Sequence, residues 1–318
     1  MPKVSVVVPN YNHARYLPAR LDSVFAQTYA DYEVILLDDH STDGSAALLG
    51  RYATHEKVRE VVLGENNSGP FAQWRRGISQ ARGEYIWIAE SDDLAHDSFL
   101  QHMVLALDAR PTVGLAYCQS QIIDEHGRPL FDNRRWTNDL DKELWSAHFQ
   151  MPGARCIHDY FMFKNVIPNA SAVLFRTSLF QKLVSADIEQ FRYAGDWLAW
   201  CQILRTCDLY FTPLQLNSFR QHPRSTREGR AFPQSARYLS EVYRVIAQIA
   251  RDSEVDAARL SEAHERLAVK TYQELGVRNL LAPRSLRLIG QLASYDPRLW
   301  RRLLKLAARS AKQKVSGS

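Results

Sequence analysis

The chain has 318 residues, of which 46% are hydrophobic and 24% charged; that supports a sizeable core and excludes a disordered polymer. No run of about 18 uncharged apolar residues occurs, which excludes a transmembrane helix. The net charge of +5 is unevenly placed: residues 230–318 hold 17 Lys/Arg against 8 Asp/Glu, and residues 1–229 hold 23 against 27. The basic excess belongs to the C-terminal part, which points it toward an anionic surface.

Met1-Pro2-Lys3 passes at once into the apolar run Val4–Pro9, too short for a signal peptide and with no small-residue cleavage site behind it. A chain that stays in the cytoplasm is therefore expected. Val4–Val8 is a nearly continuous β-branched run, as a strand buried on both faces requires. Leu17, Leu21, Val24 and Phe25 recur at helical spacing, and Val34–Leu37 is a second buried run. Asp43, before Gly44-Ser45, is placed to cap a helix carrying Leu48 and Leu49. Val58–Leu63 reads as a third strand, Pro70–Ala81 as a helix, Tyr85–Ala89 as a fourth strand, and Asp97–Ala109 as a helix ending before Pro111. This alternation predicts an α/β fold with a Rossmann-like, mainly parallel, doubly wound sheet. Residues 120–230 are less regular and rich in aromatics (Trp136, Trp145, Phe149, Tyr160, Phe161, Phe163, Trp197, Trp200), which suit sugar faces and also cores. From about residue 233 the pattern is helical. The expected organisation is a domain over 1–230, with halves 1–115 and 116–230, and a helical extension over 231–318. The scattered Cys118, Cys156, Cys201 and Cys207 form no C-x-x-C pair, so reduced thiols are expected rather than a zinc site or a disulfide framework.

Polar clusters fall at the strand ends, where open α/β sheets bind ligands. Pro9-Asn10-Tyr11-Asn12 follows the first strand, Asp38-Asp39-His40-Ser41 the second, Glu65-Asn66-Asn67-Ser68-Gly69 the third, and Glu90-Ser91-Asp92-Asp93 the fourth. Each alone could be a solvated turn; together they outline a nucleotide-sized crevice. A nucleoside diphosphate needs a divalent cation to offset its charge, and hard cations prefer carboxylate oxygens. Asp92 and Asp93 are placed to supply them, although S-D-D is also ordinary helix-cap chemistry. Asp196 stands alone between Gly195 and Trp197-Leu198 in an apolar stretch, where burial would suit a general base; a helix N-cap is the plainer reading. His222, within Arg220-Gln221-His222-Pro223-Arg224-Ser225, is either a metal ligand or a simple surface or core histidine, and the arginines could touch phosphate.

The run Val4-Ser5-Val6-Val7-Val8-Pro9-Asn10-Tyr11-Asn12, then Leu21-Asp22-Ser23-Val24 with Gln27-Thr28, then Tyr32–Gly44, resembles family 2 glycosyltransferases of the GT-A fold, and the likeness extends over about residues 3–225. Ala81-Arg82-Gly83-Glu84-Tyr85-Ile86 leading into Ser91-Asp92-Asp93 matches the stretch before that family's metal motif. The resemblance implies an inverting, single-displacement transfer of a sugar from a UDP- or dTDP-sugar to a hydroxyl of a glycan or lipid-linked acceptor, in cell-surface polysaccharide synthesis such as lipopolysaccharide. It implies a donor site of Pro9, Tyr11, Asn12, Asp39, Asn67, Gly69, Arg75, Ser91 and Asp92, with Asp39 on the base. It implies Mg²⁺ or Mn²⁺ held by Asp93, Asp92 and His222, with Asp93 the most direct ligand, and Asp196 as general base. The sequence departs from the family pattern at Glu90, where Asp is usual, and at Trp74-Arg75-Arg76, where Arg-Asn often stands. The Q-x-x-R-W motif of processive synthases is missing, so one sugar per binding event is expected.

Arg298, Arg301, Arg302, Lys305, Arg309, Lys312 and Lys314 punctuate a helical pattern of Leu299, Leu303, Leu304, Leu306, Ala307 and Ala311 beside Trp300. A basic amphipathic helix of this kind fits an anionic membrane surface, and a helix docked on protein is the plainer reading. Two other functions were weighed. A nucleotidyltransferase would need a Gly- and Lys/Arg-rich loop where Asn10-Tyr11-Asn12-His13 stands. A non-catalytic module binding through the basic tail would leave Asp92, Asp93 and Asp196 without work. Nucleic acid is not an expected partner.

Overall fold

The computed structural model describes residues 1–132, 136–223, 231–276 and 279–316. Arg224 and Ser225, and the side chains of Ala311, Lys312 and Lys314, lie outside the described residues. The chain forms two compact units, one of residues 1–156 with 165–228 and the other of 157–164 with 229–318.

The first unit is built on one sheet. In chain order its elements are β1 (Val4–Asn10), α1 (Leu17–Phe25), β2 (Tyr32–Asp38), α2 (Ser45–Arg51), β3 (Val58–Leu63), α3 (Pro70–Gln80), β4 (Tyr85–Ile88), β5 (Leu94–Ala95), α4 (Phe99–Asp108), β6 (Val113–Ile123), β7 (Pro129–Asp132), β8 (Phe149–Pro152), α5 (Gly153–Cys156), β9 (Val173–Arg176), α6 (Thr177–Leu183), α7 (Gly195–Leu204) and β10 (Asp208–Arg220). The strand order is β3-β2-β1-β4-β9-β6-β10-β5, with β7 added to β6 and β8 to β10. All seven residues of β1 and of β2 are buried, which explains their unbroken apolar runs: both faces are covered by helices. Strands β3, β2, β1 and β4 are mutually parallel, as successive strand-helix-strand crossovers dictate. Beyond β4 the sheet is mixed. β9 runs antiparallel to both β4 and β6, while β6 and β10 are parallel.

Helix α3 lies close on β1 because residue 77 is glycine. A Cβ there would stand 2.3 Å from Val7 Cγ1, inside any allowed contact. Asp43 accepts from the Ser45 backbone N–H and also from that of Ala14, so it ties the start of α2 to the loop after β1.

The aromatic cluster of the middle region is mostly packing: Trp145, Phe161, Trp197 and Trp200 are buried. The Trp145 indole donates to the Tyr117 hydroxyl, and that of Trp136 to the Asn165 carbonyl at 2.8 Å.

The second unit contains a short turn of helix at Ile157–Phe161 and the long helices α8 (Phe232–Asp252), α9 (Ala257–Leu275), α10 (Pro283–Leu292) and α11 (Leu299–Ser316). Its core joins Leu239, Val242, Tyr243, Ile246 and Ile249 of α8 to Ala263, Leu267, Ala268 and Leu275 of α9, Leu288, Ile289 and Leu292 of α10, and Leu299 and Leu303 of α11. One basic residue of the tail departs from the expected solvent-facing stripe. Arg302 turns inward, 2.9 Å from Glu265 and 3.2 Å from Asp296. Arg298, Arg301, Lys305 and Arg309 are exposed, in company with Trp300 (36%) and Leu304 (63%). No helix among the described residues is long and apolar enough to cross a membrane.

Candidate active site

The carboxyl ends of β1, β2 and β4 open on one cavity of about 380 Å³, a size suited to a small-molecule ligand. Of the residues expected at the donor, Pro9, Tyr11, Asn12, Asp39, Ser91 and Asp92 line it, and so do Asp93 and Asp196. Asn67, Gly69 and Arg75 are not among the lining residues. Gly69 instead donates its N–H to Asp39 Oδ2 at 2.8 Å. Arg75 is spent elsewhere: its Nε lies 2.7 Å from Glu189, and Nη1 donates to the Val184 carbonyl.

Asp39 is buried and organises the entry to α3. Its Oδ1 accepts from the Ser68 N–H, the Ser68 hydroxyl and Gln73 Nε2, all within 2.8 Å. Four donors on one carboxylate fix the loop before α3, and Oδ2, with the single donor Gly69, is the less crowded oxygen. Asn12 and His40 both adopt left-handed backbone, at φ 57° and 64°, which turns the two strand-end loops toward each other. Asn12 Oδ1 then accepts from the Thr42 N–H, and Asn10 Nδ2 donates to Asp38 at 2.8 Å.

The acidic run after β4 divides into three roles. Glu90 accepts from the Trp74 indole at 2.8 Å. Its burial, with the negative Asp92 beside it, pushes its pKa up to about 8. Asp93 is 2% exposed and accepts three bonds: from Asn169 Nδ2 (2.9 Å) and the Ser171 hydroxyl (2.7 Å) on Oδ2, and from the Arg220 N–H (2.9 Å) on Oδ1. Burial and the neighbouring Asp92 push it up to about 6. Asp92 presents its Oδ2 to His222 Nε2 at 3.1 Å. Burial works against its charge, but the hydrogen bond from His222 and the imidazoles of His13 and His222 outweigh it, and its pKa is lowered. The sequence reading made Asp93 the most direct metal ligand. In the structure both its oxygens accept protein hydrogen bonds, which splint residues 90–93 to β10 and the Asn169–Ser171 turn. S-D-D is not a helix cap either, since α4 starts after Ser98.

His13, Asp92 and His222 form a group, found among the described residues, whose candidate ligand atoms all lie within 4.8 Å of one another. Two ligands of one ion at roughly 2.1 Å each stand at most about 4.2 Å apart, so the three side chains must draw together to hold one. One carboxylate and two imidazoles suit a divalent ion. The donor set therefore fits.

The meeting of Asp92 and His222 depends on β5. Leu94–Ala95 pairs antiparallel with Ser218–Asn217 of β10, and the Arg220 guanidinium donates to the Asp92 and Asp124 carbonyls at 2.6 and 3.0 Å. Behind the acids Arg20 of α1 is fully buried, its guanidinium 4.9 Å from the Trp87 ring and without a hydrogen-bond partner among the described residues. Burial lowers its pKa to about 10, so it stays charged at neutral pH and offsets Glu90, Asp92 and Asp93 through space.

Asp196 lies in the first turn of α7, whose N-cap is Ala194; it is a wall residue rather than a cap. Its Oδ2 accepts from Asn165 Nδ2 (3.0 Å) and its Oδ1 from the Trp197 N–H (2.7 Å). Gly195 lets α7 approach α3, because a Cβ there would meet the Phe71 ring at 2.6 Å. His13, Phe71, Trp74, Asn169, Arg192, Tyr193 and Phe219 also line the cavity, and sequence reasoning did not single them out. Arg192 stands four residues before Asp196 and could have been found by asking what else faces the same end of α7. His13 adjoins the Asn10–Asn12 cluster.

Asp93→Ala is expected to destabilise the chain by about 3 kcal/mol, with or without metal, because three buried donors lose one acceptor. Asp92→Ala is expected to leave stability without ligand within about 1 kcal/mol. Thermal denaturation of the two variants without metal checks this; equal losses would place Asp92 among the splints.

The sheet order and the strand-end cavity with its acidic rim are those of an α/β fold of the GT-A type. The glycosyl transferase family 2 profile matches residues 5–164. The chain belongs to that family. An uncharacterised glycosyltransferase of Nostoc sp. is 27% identical over 194 residues, a stretch covering 61% of this chain and 57% of that protein. S. aureus TarS 1–349, solved in complex with UDP-GlcNAc, superposes with a TM-score of 0.72 at 16% identity, covering 98% of this chain and 92% of that one. The mannosyltransferase PcManGT of Pyrobaculum calidifontis, solved with GDP-Man and Mn²⁺, superposes with a TM-score of 0.58 at 19% identity, covering 99% and 87%.

Proposed function

We propose that the chain is an inverting glycosyltransferase that moves a sugar from a uridine or thymidine diphosphate sugar to a hydroxyl of a glycan or lipid-linked glycan. The observation that carries this reading is the single cavity lined by Asp39, Asp92 and Asp196, on three different elements, in a family 2 chain. Pro9, Tyr11 and Asn12 form the wall for the nucleoside, with Asp39 Oδ2 as acceptor for a base N–H. Asp92 with His222 would hold Mg²⁺ or Mn²⁺, which offsets the charge of the departing diphosphate. Arg192, an arginine on the cavity wall, adds positive charge for the same purpose. Asp196, oriented by Asn165 and the Trp197 N–H, takes the proton from the acceptor hydroxyl. That oxygen then bonds to the anomeric carbon as the bond to the diphosphate oxygen breaks, and the nucleoside diphosphate leaves.

Cell-surface polysaccharide synthesis is the proposed setting, with the catalytic reaction at the inner face of the membrane. What supports it is the exposed face of α11 and the residue before it, where Arg298, Arg301, Lys305 and Arg309 accompany Trp300 and Leu304.

Thermal denaturation with UDP, dTDP, GDP and CMP, each with and without Mn²⁺, tests the donor reading. UDP or dTDP is expected to raise the melting temperature more with Mn²⁺ than without, since ligand at 100 times its Kd adds about 2.7 kcal/mol. If none of the four does so at millimolar concentration, the donor assignment falls.

A further inference from the structure

We propose that His13 is a ligand of the divalent ion, so that the ion sits in a set of two imidazoles and one carboxylate and the site prefers transition ions such as Mn²⁺ or Co²⁺ to Mg²⁺. This rests on the metal reading above and extends it to a residue on a different element, with a consequence for which ion is used.

The geometry comes first. His13 stands in the loop after β1, 79 positions before Asp92 and 209 before His222, yet one candidate ligand atom from each lies within 4.8 Å of the others. The sheet brings these segments together. β1 and β4 are adjacent parallel strands, and β5 pins the segment after β4 to β10. The rings are also held in place. His13 and His222 meet edge to face with centroids 5.5 Å apart. Tyr16 packs on both, at 5.9 Å from His13 and 5.1 Å from His222, and the Arg220 guanidinium covers Tyr16 at 4.9 Å. Ser91 Oγ lies 2.9 Å from His13 Nδ1, the type of second contact that fixes the ring plane of a metal-bound imidazole.

Chemistry decides the ion. Two imidazole nitrogens are poor ligands for Mg²⁺, which favours oxygen and keeps its waters, whereas Mn²⁺, Co²⁺ and Zn²⁺ take nitrogen readily. Among the described residues the candidate ligand group contains one carboxylate, Asp92, and neither Asp93 nor Glu90 belongs to it. One divalent ion satisfies all three groups at once.

The test is Mn²⁺ titration of the full chain with UDP present, followed by pulsed electron paramagnetic resonance of the bound Mn²⁺. Wild-type protein is expected to show coupling from two imidazole nitrogens, and His13→Asn and His13→Gln from one. Both variants should bind Mn²⁺ about 10–100-fold more weakly. Mg²⁺ affinity, read by displacement of Mn²⁺, should change less than threefold. Melting curves establish that each variant is folded, and two substitutions guard against one that is not. Coupling from one imidazole in the wild type, unchanged in the folded variants, would overturn the assignment of His13 while leaving Asp92 and His222 as ligands. No Mn²⁺ binding by the wild type at millimolar concentration would overturn this inference together with the metal reading on which it rests.

Discussion

Asp196→Asn should lower kcat by about 10²- to 10⁴-fold, the usual worth of a general base in proton transfer. The substitution keeps the side chain's shape and an oxygen to accept from the Trp197 N–H, which now lies 2.7 Å from Oδ1. The contact with Asn165 Nδ2 at 3.0 Å becomes amide against amide, a loss of about 1 kcal/mol in stability. Binding of the nucleotide and metal should be unaffected, because Asp196 and Asp92 stand on opposite elements of the cavity, α7 and the segment after β4. The measurement is nucleoside diphosphate release from the donor chosen by the thermal screen, alongside the metal-dependent melting shift. A large fall in kcat with an intact shift supports the base. An intact kcat removes Asp196 from the chemistry and leaves it a wall of the acceptor site.

Asp92→Asn is expected to abolish the Mn²⁺-dependent part of the nucleotide-induced melting shift and to reduce kcat/KM by about 10³-fold, equivalent to about 4 kcal/mol of transition-state stabilisation. Of the three acids in this run, Asp92 alone presents its carboxylate to an imidazole of the candidate ligand group. An amide there can still hydrogen-bond His222 but carries no charge for an ion. The contrast with Asp93 is the sharpest feature of this site. Asp93→Ala should lose stability first and activity as a consequence, whereas Asp92→Asn should lose activity in a chain that melts as before. If both variants melt normally and both retain the metal-dependent shift, the ion is held elsewhere and the acidic run is structural throughout.

Most of residues 1–115 was legible in the sequence. The nearly continuous β-branched run Val4–Val8 and the apolar run Val34–Leu37 read as strands buried on both faces, and the helical patterns between them imply parallel crossovers. Polar clusters at the ends of those strands then follow, and of the donor residues that the family resemblance implies, Pro9, Tyr11, Asn12, Asp39, Ser91 and Asp92 line the cavity. Residues 116–230 were less legible because their strands are joined by irregular segments: nothing local says that β9 enters antiparallel between β4 and β6.

Within the site, sequence supplied the residue types and tertiary structure assigned their work. Asp92 and Asp93 are equivalent on paper, adjacent and of one kind. Successive residues near a strand end face different surroundings, and Asp93 turns to Asn169, Ser171 and the Arg220 N–H while Asp92 turns to His222. Arg75 is a donor residue by family resemblance, but its guanidinium is held by Glu189, a partner 114 residues away. The same applies to Arg302, which the tail's pattern placed in water and which Glu265 and Asp296 hold inward. His13 is the converse. Its neighbours in sequence gave it no role, and only the pairing of β5 with β10 brings His222 and Asp92 close enough to give it one. Periodicity and composition fix elements because they depend on near neighbours in the chain; charge pairing and ligation depend on contacts across a hundred residues or more, which only the folded sheet sets.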